Sequence, residues 1–223
     1  MEKYSWSDPP GQFAFPIHRA GYPLIFGSAF ATLILALLGL TILALIGLVA
    51  TFCICGFFRD PDRVIPEEQG VVVSPADGKI IFVGRVQTSP FASEELIKIS
   101  IFMSVFNVHV NRIPYSGRIK AVNYNPGKFF SANLDKASQK NEQNAVLLET
   151  ENEKEICFVQ IAGLIARRII CRVQPEDQVL RGQRFGIICF GSRLDVYLPG
   201  ASDVAVTVGE KVKAGASILG QIA

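Results

Sequence analysis

The hydrophobic pattern divides the chain in two. From Ala20 to Phe58 no side chain is charged, and basic residues close both flanks, Arg19 before the run and Arg59 and Arg63 after it. As one straight helix at 1.5 Å per residue this run would extend about 58 Å, against a hydrocarbon thickness of about 30 Å. Two helices folded at Gly39 each have enough length to cross, and the flanking cations then put both ends on the cytoplasmic face. A single tilted span with an interfacial lead-in is the alternative, because turn backbone in lipid has no water to bond. The run is too long and starts too late for a cleaved signal peptide, and no small-residue cleavage site follows it.

Beyond Pro66 the pattern changes to short β-branched runs broken by Gly and Pro. The segments 71–73, 79–83, 97–103, 105–110, 156–161 and 169–173 all read as strands. The polar stretch 131–143 reads as a loop or short helix. Short strands at this density predict a mainly β domain, a compact barrel or sandwich with few helices. The expected division is therefore an anchoring region over 1–66, apolar over 20–58, and a β-rich domain over 67–223. The segment 204–220, with its Val and Gly rhythm, resembles one half of lipoyl and biotinyl domains, and 73–80 resembles the opposite half. No lysine acceptor occurs at the expected hairpin, so the likeness implies a barrel-sandwich architecture and not lipoylation.

Charge and cysteine content narrow the function. A formal charge of +2 over 223 residues, without a basic run, argues against a nucleic-acid partner. The five cysteines (Cys53, Cys55, Cys157, Cys171, Cys189) lack paired spacing and lie in apolar runs, which fits reduced, small hydrophobes. His18 and His109 are the only histidines and are far apart in sequence, so no zinc site is expected.

The candidate chemistry rests on four residues. Gly191-Ser192 places a flexible residue before a hydroxyl nucleophile, between two apolar runs. His109 lies in a segment where strand alternation puts Asn107, His109 and Asn111 on one face, a polar stripe that a core does not require. Asp77 precedes Gly78 in a Pro-Ala-Asp-Gly turn, where aspartate also has a purely structural use. Ser, His and Asp on a β scaffold could form a hydrolase triad, although Ser192 lacks the Gly-x-Ser-x-Gly elbow.

Five segments in order give the chain a family likeness: 57–63 (Phe-Phe-Arg-Asp-Pro-Asp-Arg), 74–78 (Ser-Pro-Ala-Asp-Gly), 102–112 around His109, 160–168 (Gln-Ile-Ala-Gly, then Ala-Arg-Arg), and 190–199 around Ser192. On these the chain resembles the phosphatidylserine decarboxylases, in particular their short membrane-bound branch. The resemblance implies autocatalytic cleavage between Gly191 and Ser192 and conversion of Ser192 to a covalent pyruvoyl group, with no metal and no pyridoxal phosphate. The two chains, 1–191 and 192–223, would form a heterodimer and could assemble further. With a phospholipid in the membrane as partner, the enzyme would turn phosphatidylserine into phosphatidylethanolamine.

His109 would move the proton and Asp77 would orient the imidazole. Arg112, Arg168 and Arg193 are candidates for contact with the phosphate or carboxylate of the lipid, and Lys128 and Arg167 are weaker ones. The stretch after Lys128, followed by Asn141 and Glu142, could form a lip over the site. Two departures from the longer members stand out: Arg193 replaces the threonine after the cleaved pair, and Arg112 takes the place of a second histidine. Decarboxylation of a related lipid such as archaetidylserine, and a non-catalytic tethered module, are the alternatives.

Overall fold

The computed structural model describes residues 17–127, 141–163, 169–189 and 191–222, and the described residues form two compact units, one up to residue 62 and one from residue 63 onward. Lys128, the expected lip as far as residue 140, and the arginines Arg167 and Arg168 fall outside the described residues, as does Phe190; Asn141, at the end of that lip, is buried and donates from Nδ2 to Ala162 O at 2.7 Å.

In the first unit, α1 (Tyr22–Leu37) and α2 (Thr41–Phe57) fold back on each other. The reversal falls at Gly39, whose φ of +71° is accessible to glycine at little steric cost. The turn backbone meets its own needs: Gly39 N donates to Ala36 O, Leu40 N to Leu35 O and Ala44 N to Leu40 O. That removes much of the penalty expected for a turn in lipid. The helices touch through small residues. Ser28 and Thr51 hydroxyls lie 2.7 Å apart, and a Cβ on Gly47 would come within 2.6 Å of Thr32 Oγ1. Arg19–Leu37 is long and apolar enough to cross a bilayer, while α2 is shorter at 17 residues. The helices' large side chains (Phe26, Phe30, Leu37, Ile42, Phe52) are exposed, as fits a membrane anchor.

The second unit is built of antiparallel strands. An eight-stranded curled sheet contains β2 (Gly78–Val86), β3 (Leu96–Met103), β5 (Gly117–Asn125), β6 (Gln143–Glu149), β7 (Glu155–Ala162), β9 (Gln178–Val179), β11 (Ser192–Pro199) and β13 (Lys211–Val212). Its order is β13-β2-β3-β11-β7-β6-β5-β9. Two small sheets complete the unit, β1-β14-β12 from Val71–Val73, Ile218–Gln221 and Asp203–Val204, and β4-β10-β8 from Val110–Arg112, Arg184–Ile188 and Ile169–Cys171.

The two halves matched to lipoyl-like domains are strand partners: β1 pairs with β14 and β2 with β13. Strand alternation produces two cores. Ile99, Ile101, Met103, Phe158, Leu194, Val196 and Leu198 join the larger one inside the curl. Tyr197, Cys157, Val159 and Ile161 join the smaller one on the other face.

Residues 105–109 do not form a strand, contrary to their pattern. Asn107 Oδ1 accepts from both Ser104 N (2.9 Å) and Ser104 Oγ (2.8 Å), closing a turn, so that β4 begins only at Val110. An asparagine side chain that bonds the nearby backbone competes with strand pairing, and here the local bond wins.

Candidate active site

Ser192 opens β11, the strand held on both sides, with Met103 of β3 and Ala162 of β7 as its cross-strand partners. Its side chain is fully buried, and its Oγ has no hydrogen-bond partner among the described residues. A buried hydroxyl left unbonded is unfavourable, and such groups persist where chemistry needs them. Gly191, just before it, has φ +64°, and a Cβ built there would meet nothing within 4 Å. Backbone conformation alone therefore calls for glycine here.

The sheet carries Asp77 to the same end. Lys79 of β2, Phe102 of β3 and Arg193 of β11 lie in one transverse row, which puts β2 about 10 Å from β11, two strand spacings. Asp77 precedes β2 as Ser192 opens β11. Gly78 lets the turn approach, since a Cβ there would lie 2.3 Å from Phe102 O. Both carboxylate oxygens of Asp77 are engaged: Arg63 Nη2 donates to Oδ2 at 2.9 Å and Ala214 N to Oδ1 at 2.7 Å. Asp77 is thus fixed by the first residue of the β unit and by the C-terminal segment.

His109 arrives through the turn that follows Met103, and β4 docks on the Asp77 turn where Arg112 N donates to Pro75 O at 2.9 Å. The imidazole is fully buried, with Nδ1 2.9 Å from Asn107 O. A carbonyl can only accept, so that bond requires the proton on Nδ1 and makes Nε2 the basic nitrogen of the neutral ring. The Asn107 carbonyl thereby fixes one nitrogen of the His109 ring. Asn107 and Asn111 do not share a strand face with His109 as the alternation suggested, because Asn107 sits in the turn.

The arginines divide. Arg112 is buried and donates from Nη1 to Gly182 O at 2.9 Å. Arg193 lies on the face opposite Ser192, where its Nε and Nη2 meet Asp195 at 2.6 and 3.0 Å and Nη2 also donates to Ser100 Oγ. Lys98 Nζ is 3.0 Å from the same Asp195 carboxylate. Buried in that ion cluster, Arg193 serves the sheet, and strand alternation alone turns it away from the Ser192 face.

Asn111 of the expected polar stripe joins Gln160 and Asn144 in a chain of buried amides that ends on Met103, the cross-strand partner of Ser192. Asn144 Nδ2 donates to Gln160 Oε1 (3.3 Å), Gln160 Nε2 to Asn111 Oδ1 (2.9 Å), and Asn111 Nδ2 to Met103 Sδ (3.7 Å). Polar residues inside otherwise apolar strands were the available signal. Arg63 was likewise visible within the 57–63 motif, but its partner was not.

Residues 50–220 match the sequence model of a family described as phosphatidylserine decarboxylase. The chain is 53% identical over 205 residues to the phosphatidylserine decarboxylase proenzyme of Syntrophus aciditrophicus, covering 92% of this chain and 96% of that one. It is 48% identical over 207 residues to that of Desulfotalea psychrophila (93% and 97% covered). With that of Rickettsia typhi it shares 47% over 206 residues (91% and 89%).

Proposed function

Because the chain belongs to the phosphatidylserine decarboxylase family, we propose that it is made as a precursor that cuts its own Gly191–Ser192 bond, turns Ser192 into a pyruvoyl group, and decarboxylates phosphatidylserine to phosphatidylethanolamine. The observation that carries this reading is Ser192 itself: a buried hydroxyl without a hydrogen-bond partner among the described residues, preceded by a left-handed glycine with open space around it.

In the cut, Ser192 Oγ attacks the Gly191 carbonyl carbon while a base takes its proton. His109 is the base, with Nε2 the nitrogen that accepts. The amide C–N bond breaks, the proton returns to the Ser192 nitrogen, and an ester links the two chains. Elimination takes the Ser192 Cα proton to a base and releases Gly191 as a carboxylate; the enamine left behind takes a proton at Cβ to become an imine, and water replaces its nitrogen, which leaves as ammonia.

Residues 192–223 remain in place afterwards, because β11 is paired along its length with β3 and β7 while β14 is paired with β1. The pyruvoyl group supplies the electron sink for the carbon–carbon bond that breaks when carbon dioxide leaves. The position fits such a group: the flanking side chains are Met103 and Ala162, neither of them a competing nucleophile. In this reading His109 also returns a proton to the product. Asp77, fixed by Arg63, contributes negative charge at this end of the sheet, and Arg112 is the candidate for the lipid's anionic head. The helical hairpin inserts into the membrane with both ends on the cytoplasmic side, so that the β unit meets its lipid by lateral diffusion.

The test is intact mass and denaturing electrophoresis of purified protein. Wild type is expected as two chains, the smaller lacking a free amine, and Ser192→Ala as one chain of 24.4 kDa. Two chains from Ser192→Ala would overturn the mechanism.

A further inference from the structure

We propose that Asn111, held by Gln160 and Asn144, is the hydrogen-bond donor that stabilises the oxyanion formed at the Gly191 carbonyl when Ser192 attacks it. The inference rests on the self-cleavage reading above and adds a group to it.

The relay has a direction. Gln160 Oε1 accepts from Asn144, so the Gln160 amide nitrogen faces Asn111 and meets its oxygen at 2.9 Å. The Asn111 nitrogen is thereby turned the other way, onto the Met103 sulfur at 3.7 Å. A thioether is a weak acceptor, and a fully buried amide resting on one retains most of its capacity to donate. Met103 is the cross-strand partner of Ser192, and such neighbours stand about 5 Å apart on one sheet face. The Asn111 donor is therefore one side chain away from the reacting pair, in a buried site where a donor to developing charge has its greatest effect.

The fold maintains this arrangement at a cost. The same face of the sheet is otherwise lined by Ile99, Ile101, Phe158, Leu194 and Val196, and a core position needs no amide. Gly186 is kept bare beside the relay: a Cβ there would lie 3.0 Å from Gln160 Nε2 and 2.2 Å from Ile170 O. Two amides thus orient the third, and Gly186 leaves room for the middle one.

In the step itself, the Ser192 Oγ–C bond forms as the carbonyl π pair moves onto oxygen, and the Oγ proton goes to the base. The Asn111 N–H leaves sulfur for that oxygen. When the C–N bond breaks, the carbonyl reforms and the proton is delivered to the leaving nitrogen, so the donor returns unchanged.

The experiment follows conversion of one chain to two in freshly synthesised full-length protein. Asn111→Asp keeps the shape and the bond from Gln160 but has no donor toward Met103, and is expected to slow the cut by about 100-fold or more. Asn111→Leu is expected to slow it similarly, and Asn111→Gln, which keeps a donor, to recover part of the rate.

Folding is checked separately by placing each substitution in the uncut Ser192→Ala chain and comparing Tm. Wild-type cutting rates in a folded Asn111→Asp or Asn111→Leu protein overturn the inference. A wild-type chain that never becomes two would instead overturn the self-cleavage reading on which the inference stands.

Discussion

At Gly191 the demand is conformational and not steric. The left-handed φ of +64° disfavours any residue with a Cβ, by roughly 1–2 kcal/mol, yet the space around the missing Cβ is open. Gly191→Ala is therefore expected to fold, with unfolding free energy lowered by about 1 kcal/mol, and to convert to two chains more slowly as the bond shifts away from its reactive geometry. Denaturant titration and a cleavage time course check the two effects separately. Cys157 shows the opposite kind of environment. Burial first, and the nearby Asp195 charge second, push its thiol up, so it behaves as core.

The central strand β11 divides two tasks between its faces. Ser192 points into the curl with Leu194 and Val196, while Arg193, Asp195 and Tyr197 point out. The outer face carries charge deep in the sheet: Asp195 is fully buried and receives both Arg193 and Lys98, whose ammonium also lies 5.4 Å from the Tyr197 ring. Removing one member of such a cluster leaves buried charge uncompensated, which costs about 3–5 kcal/mol. Asp195→Ala is expected to lose that much in chemical denaturation although it lies on the face opposite Ser192, whereas a substrate-binding role for Arg193 would predict a change in KM with stability intact.

At the scale of the molecule, the helical hairpin and the β unit are separate compact bodies joined through the polar segment that contains Arg63. Arg63 is the first residue of the β unit and holds Asp77. A chain lacking residues 1–62 but keeping Arg63 is expected to stay in the supernatant on ultracentrifugation and still become two chains, while the full chain sediments with membranes. A truncated chain that still sediments would remove the anchoring role from the hairpin.

Sequence alone determined what depends on local pattern: the uncharged run, most of the strand-forming runs, and the pair Gly191-Ser192 with its surrounding motifs, while a fold at Gly39 was one of two readings it left open. These follow from periodicity, backbone preference and residue order, which are properties of neighbours along the chain. Tertiary structure decided who meets whom. Asp77 goes to Arg63 and Ala214, the imidazole of His109 to the Asn107 carbonyl, Arg193 to Asp195, and Asn144 through Gln160 to Asn111. Most of those contacts are set by sheet register and strand order, which bring together residues distant in sequence, and a one-residue slip would turn every one of these strand side chains to the other face.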